Sequence, residues 1–124
     1  MAVAGLGLDL CSVERVRRIL EGRYGHRFVD RVYTEAEQAA CESRADPAAA
    51  FAARFAAKEA LIKALGAPAG LRFREMEVVR EVGAPTFRLS GQARAEVNHR
   101  RVEILLSLTH DAGIAAATVI LDQR

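Results

Sequence analysis

"FAARFAAKEALIKALG", residues 51–66, combines a helix-forming composition with charge in unexpected places. Six Ala, two Phe, two Leu and an Ile surround Arg54, Lys58, Glu59 and Lys63. Asp46 supplies an N-cap and Pro47 a first helical residue. Gly66 and the Pro68–Gly70 loop end the helix. Phe51, Phe55, Ile62 and Leu65 occupy one broad side, and the Ala52, Ala56 and Ala60 row permits close packing on another. Such a helix is expected to be buried on most sides. A carboxylate on it is then partly desolvated and calls for a partner or a metal.

Working outward, residues 3–10, "VAGLGLDL", alternate as a strand does. Leu6, Leu8 and Leu10 share one face, which we expect to be the core face. Gly5, Gly7 and Asp9 share the other, where bare backbone beside one acid suggests a close approach. Ser12 can cap a helix running to about Leu20 or Arg23, with Val13, Val16 and Leu20 as its apolar stripe. "HRFVDRV" predicts a short helix, and Thr34 with Glu37 has capping-box spacing for another. "MEVVRE" and "PTFRLS" flank Gly83–Ala84 as a hairpin. Ser90 can cap a short helix, and "VEILLSLTH" and "GIAAATVIL" form a second hairpin around "DAG". Helices early and antiparallel strands late predict an α+β fold, one domain over 1–124.

Composition narrows the function. Eighteen Lys plus Arg against sixteen Asp plus Glu leave a net charge of +2, too mild for a nucleic-acid binder. Seven Phe and Tyr without pattern offer no stacking platform. Cys11 and Cys41 have no CxxC spacing, so they read as buried free thiols rather than a disulfide framework or zinc site. "MAVAGLGLDL" lacks a basic signal-peptide start, and "AGIAAATVIL" is about half a membrane span. A cytoplasmic setting is expected.

Glu59 and Lys63 are four apart and share a helix face, as in an ordinary surface ion pair. Paired with Asp9, Glu59 instead offers two hard oxygen ligands beside open backbone, which suits Mg²⁺ completed by phosphate oxygens and water. Lys63 could then hold a phosphate as a point charge. His110 shares a strand face with Leu106 and Leu108 and reads as either a structural residue or a catalyst. "GLGLDL" is an incomplete dinucleotide fingerprint, and Ser107 and Thr109 lack a nucleophile setting. Arg15, Arg17 and Arg18 make a basic helix next to Asp9, either a solvated face or a docking surface for an acidic partner.

Five stretches, in order along the chain, carry a resemblance: "GLGLDLCSVERV", "FVDRVYTEAE", "FAARFAAKEALIKALG", "GAPTFRLSG" and "LSLTHDAGIAAATVIL". The chain resembles the short holo-acyl-carrier-protein synthases, a type of 4′-phosphopantetheinyl transferase. The resemblance implies transfer of phosphopantetheine from coenzyme A to a serine of an apo acyl carrier protein, releasing adenosine 3′,5′-bisphosphate. It also implies Asp9 and Glu59 as ligands of Mg²⁺, Lys63 near the coenzyme A phosphates, and Arg54 and His110 near the nucleotide end. Members of that family are homotrimers with sites between subunits, the "SLTH" segment coming from a neighbour. Tyr33 stands where the family often has Phe.

Under that reading Arg15, Arg17 and Arg18 dock the acidic carrier protein. The base that takes the serine proton is either metal-held water or Glu59 through water. The rival readings are a non-catalytic coenzyme A or nucleotide-binding module, which has no use for Asp9 plus Glu59, and a structural oligomer. An acyltransferase using coenzyme A thioesters would need an activated nucleophile that neither cysteine provides.

Overall fold

The computed structural model describes residues 2–80 and 82–124. Along the chain run β1 (Val3–Ser12), α1 (Val13–Glu21), α2 (Gly25–Val32), α3 (Glu35–Glu42) and α4 (Pro47–Ala64). A 3-10 turn (Phe73–Glu75), β2 (Met76–Val79), β3 (Thr86–Leu89), α5 (Gly91–Arg100), β4 (Val102–Asp111) and β5 (Ile114–Gln123) follow. The α+β expectation holds, and both hairpins form. Glu81, the last residue of the expected strand "MEVVRE", lies outside the described residues.

Local chemistry explains the helix starts. Ser12 accepts from the Arg15 amide at 3.2 Å. Thr34 and Glu37 close a complete capping box. Asp46 accepts from the Ala49 amide, with Pro47 at the first helical position. The α5 start differs from expectation. Ser90 makes no side-chain cap, and the Glu75 carboxylate instead accepts from the Gln92 and Ala93 amides, each at 3.3 Å. Gly91 is needed there: its φ is +54°, and a Cβ would run into that carboxylate.

β1, β5 and β4 form an antiparallel sheet in that spatial order, while β2 and β3 form a separate two-stranded sheet. Helix α4 lies across β1 and β5. Ala115, Ala117, Val119 and Leu121 alternate into that contact and are buried. Ala52, Ala56 and Ala60 are fully buried on the helix side. Small residues let the two backbones approach closely.

The face assignment of β1 is reversed. Leu6, Leu8 and Leu10 are 63%, 58% and 66% exposed, and Gly7 is buried. A Cβ on Gly7 would collide with the Ala60 carbonyl, and one on Gly5 with that of Ala64. The close approach signalled by the glycines is therefore the backbone of α4. Strand period fixes the rest: once the glycine face is inward, every leucine between is outward. Leu105 on β4 (46% exposed) joins the same outer face, opposite Ile120 of β5, which in turn pairs with Leu6.

Candidate active site

The four charges of α4 go to three different places. Lys58 is fully buried, and its three ammonium protons are all used. They go to Glu37 Oε1 at 2.6 Å, the Val32 carbonyl at 2.6 Å and the Phe73 carbonyl at 3.1 Å. Glu37 also accepts from the Thr34 amide on Oε1 and from the Val78 amide on Oε2, both at 3.0 Å. Burial pulls the Lys58 ammonium below its ordinary range, and Glu37 opposes that pull. Tyr33, also buried, donates to the Phe51 carbonyl at 2.7 Å. Sequence reasoning did not pair Lys58 with Glu37. Its one available signal was a cation on a helix with few polar faces.

Glu59 and Lys63 meet Asp9 where α4 crosses β1. Lys63 Nζ donates to Asp9 Oδ1 at 2.9 Å and to the Leu8 carbonyl at 3.0 Å. An ordinary Glu59–Lys63 surface ion pair, the alternative to a metal site, is not among those formed by the described residues; the lysine turns to the strand. The Asp9 side chain is 14% exposed and that of Lys63 53%. Burial raises the Glu59 carboxyl above its usual value, the Asp9 charge raises it further, and Lys63 opposes both. Burial also pushes up the Cys11 thiol, with Asp9 and Glu59 adding to the effect and Arg15 resisting it. Two carboxylates repel each other across a half-buried patch, and the one nearby ammonium is bonded to Asp9.

That donor set fits a divalent cation. Among the described residues no group of three or more His, Cys, Asp or Glu could hold a metal. Two carboxylates are what Mg²⁺ takes from protein when substrate phosphates and water complete its shell. The mutual repulsion felt by Glu59 is what such a charge relieves.

Arg54 and His110 lie together in a separate cavity of about 470 Å³, together with Arg17, Arg44 and Arg80. Arg54 is 6% exposed, and its Nε is buried with no hydrogen-bond partner among the described residues. Its guanidinium adjoins the Cys41 thiol, which burial pushes up to about 11 against the pull of that cation. Arg17 grips both oxygens of Asp46 at 3.2 Å, which raises its own pKa and lowers that of the aspartate. A buried guanidinium with an unmet donor, ringed by further cations, suits a phosphorylated ligand. Arg44 and Arg80 were not singled out by sequence reasoning, because each lies outside any motif and reaches the cavity only through the fold.

The three arginines expected to dock a partner stand differently from one another. Arg15 is exposed. Arg18 is exposed beside Glu14 at 3.5 Å. Arg17 is held by Asp46 and by Glu14 at 3.4 Å, and it turns into the cavity wall.

Comparison with known proteins places this geometry in context. The family model described as the 4′-phosphopantetheinyl transferase superfamily matches residues 5–118. A holo-acyl-carrier-protein synthase of Myxococcus xanthus (strain DK1622) is 57% identical over 124 residues, covering 100% of this chain and 98% of the relative. One from Anaeromyxobacter dehalogenans (strain 2CP-C) is 47% identical over 123 residues, covering 97% and 96%. Among solved structures, the ACPS–CoA complex of Chronobacterium ammoniagenes superposes with a TM-score of 0.84 at 28% identity, covering 100% and 99% of the two chains. The Helicobacter pylori holo-acyl-carrier-protein synthase in complex with coenzyme A gives 0.80 at 27%, covering 94% and 99%.

Proposed function

The chain belongs to the 4′-phosphopantetheinyl transferase superfamily, and from that premise we propose that it transfers the 4′-phosphopantetheine group of coenzyme A to a serine of an apo acyl carrier protein. The products are the holo carrier protein and adenosine 3′,5′-bisphosphate. The observation that carries the reading is the convergence of Asp9, Glu59 and Lys63 where α4 crosses β1. A binding module without chemistry has no use for two mutually repelling carboxylates there.

Asp9 and Glu59 would hold Mg²⁺, which when bound neutralises the diphosphate and activates it toward in-line attack. Lys63, half exposed, adds a cation for the same phosphates. Arg54 and His110, with Arg44 and Arg80, hold the nucleotide end by its phosphates. Glu59, acting through water, would be the residue of this chain that takes the serine proton. No protein nucleophile is needed.

Two residue groups, one at the strand–helix crossing and one in the cavity, suit a ligand held between subunits. The uncovered sheet face of Leu6, Leu8, Leu10 and Leu105 supports self-association, and the family resemblance makes that assembly a homotrimer. Leu8→Glu is expected to shift the sedimenting mass to that of a single chain. The whole chain 1–124 acts as one unit, and a cytoplasmic setting agrees with two free buried cysteines. Among the described residues no helix is long and apolar enough to cross a membrane. Exposed Arg15 and Arg18 meet the acidic carrier protein, with Arg17 linking that surface to the cavity.

Mass spectrometry of an apo carrier protein incubated with the enzyme, coenzyme A and Mg²⁺ tests the reading. A gain of one phosphopantetheine on the serine is expected. Coenzyme A bound without transfer would support the binding module instead.

A further inference from the structure

The cavity has two walls that no backbone ladder joins. Arg54 comes from α4, while Val78 and Arg80 come from β2 and the residue that follows it. Among the described residues β2 pairs only with β3, in a sheet separate from the one against which α4 packs. What sets the distance between the walls is therefore side-chain chemistry.

That chemistry centres on Glu37. Its Oε2 accepts the Val78 amide at 3.0 Å, and its Oε1 accepts the Lys58 ammonium at 2.6 Å. Lys58 lies one helical turn beyond Arg54 on α4, so one carboxylate spans both walls of the cavity. A second link, Thr34 Oγ1 to Glu77 at 2.6 Å, leaves the same helix cap for the same strand. Glu37 is 1% exposed and Lys58 0%. A fully desolvated, fully hydrogen-bonded junction of this kind tolerates little displacement.

We propose that Glu37 is a positioning residue for coenzyme A, holding the β2 wall of the cavity at the spacing from Arg54 that the ligand's phosphates need. The inference rests on the assignment of this cavity to coenzyme A. Glu37 touches no ligand itself; it acts through the Val78 amide.

Two substitutions release β2 by different means. Glu37→Gln keeps the length. Lys58 still demands the oxygen, so the new amide group faces the Val78 N–H, donor against donor. Glu37→Asp keeps the charge but is one carbon short. The charge-assisted bond to Lys58 prevails, and the Val78 amide loses its acceptor. Calorimetry with coenzyme A should show each variant binding about five- to tenfold more weakly, the scale of one hydrogen bond's net contribution. The kcat at saturating coenzyme A should stay within about twofold of wild type if binding alone is altered.

Val97→Ala on α5 serves as a control for lost stability, because Val97 is buried away from the cavity. It should lower Tm and leave coenzyme A affinity unchanged. Equal weakening in Val97→Ala at matched Tm would overturn the inference. So would wild-type affinity in whichever Glu37 variants fold, while Arg54→Ala loses binding. Wild type failing to bind coenzyme A would remove the cavity assignment itself, and the inference with it.

Discussion

Lys58 and Glu59 are neighbours on one helix, yet they serve opposite ends. A step of about 100° around the helix axis sends them to different environments. Lys58 enters a dry junction with Glu37 where every donor and acceptor is met by protein. Glu59 faces Asp9 and the half-exposed Lys63, whose ammonium is bonded to Asp9. The first arrangement is complete and holds five elements together: α2, α3, α4, the 3-10 turn and β2. The second keeps two mutually repelling acids beside one half-exposed lysine, a donor set that suits a further cation. An acid–lysine pair is thus structural or functional according to whether the protein itself closes the shell.

Breaking the closed junction should have the largest effect. Lys58→Met strands the Glu37 carboxylate in the core and is expected to cost about 3–5 kcal/mol, read by urea or thermal unfolding. A loss near zero would mean that Glu37 finds another partner. Opening the other site should leave stability nearly intact and abolish chemistry. Asp9→Ala or Glu59→Ala should lower turnover by at least about 10²-fold at saturating Mg²⁺ and coenzyme A, the scale of losing one preorganised electrostatic group. Normal turnover in either variant would remove it from the proposed metal site.

A pH measurement sharpens the contrast. The Glu59 carboxyl is raised in the fold from 4.5, by burial and then by Asp9, so the folded chain disfavours its charge. That penalty is absent below the unfolded value and fully present once pH exceeds the folded one. Without divalent ions, Glu59→Gln should be more stable than wild type at pH 7, by no more than about 1 kcal/mol because the site is partly solvated. The advantage should vanish as pH falls below 4.5, and Mg²⁺ with coenzyme A should erase it at pH 7. A Gln variant less stable at neutral pH would contradict the direction of the shift.

The smallest effect concerns the arginine helix. Arg15→Glu should raise KM for the carrier protein a few-fold at low salt, and the difference should shrink as ionic strength screens the surface. A rate independent of salt would argue against steering. Arg17→Glu should act more broadly, because Arg17 also braces Asp46 and lines the cavity.

Much of this was legible in advance. The caps at Ser12, Thr34 and Asp46, both hairpins and the long central helix follow from local rules, and the structure contains each. Asp9, Glu59 and Lys63 were brought together in expectation by residue type and family resemblance, and the fold does bring them together. The leucine face of β1 was misread for a physical reason. Hydrophobicity predicts which side chains avoid water, but not which face of the strand a helix backbone will cover. Gly5 and Gly7 held the decisive information, since only a residue without Cβ admits the Ala60 and Ala64 carbonyls. Ser90 was assigned a cap that Glu75 supplies, because a residue fifteen positions away cannot be placed beside it by local pattern.

By itself the order of residues determined what is local or periodic: the element boundaries, the α+β class, and the presence of a charged helix too apolar to carry its charges idly. Tertiary structure alone decided how those charges were shared out. It sent Lys58 to Glu37, turned Lys63 from Glu59 to Asp9, and gathered Arg44, Arg54, Arg80 and His110 around one cavity. Pairing across twenty to more than fifty positions depends on how α4 packs on the sheet, and that packing is a cooperative property of the whole chain.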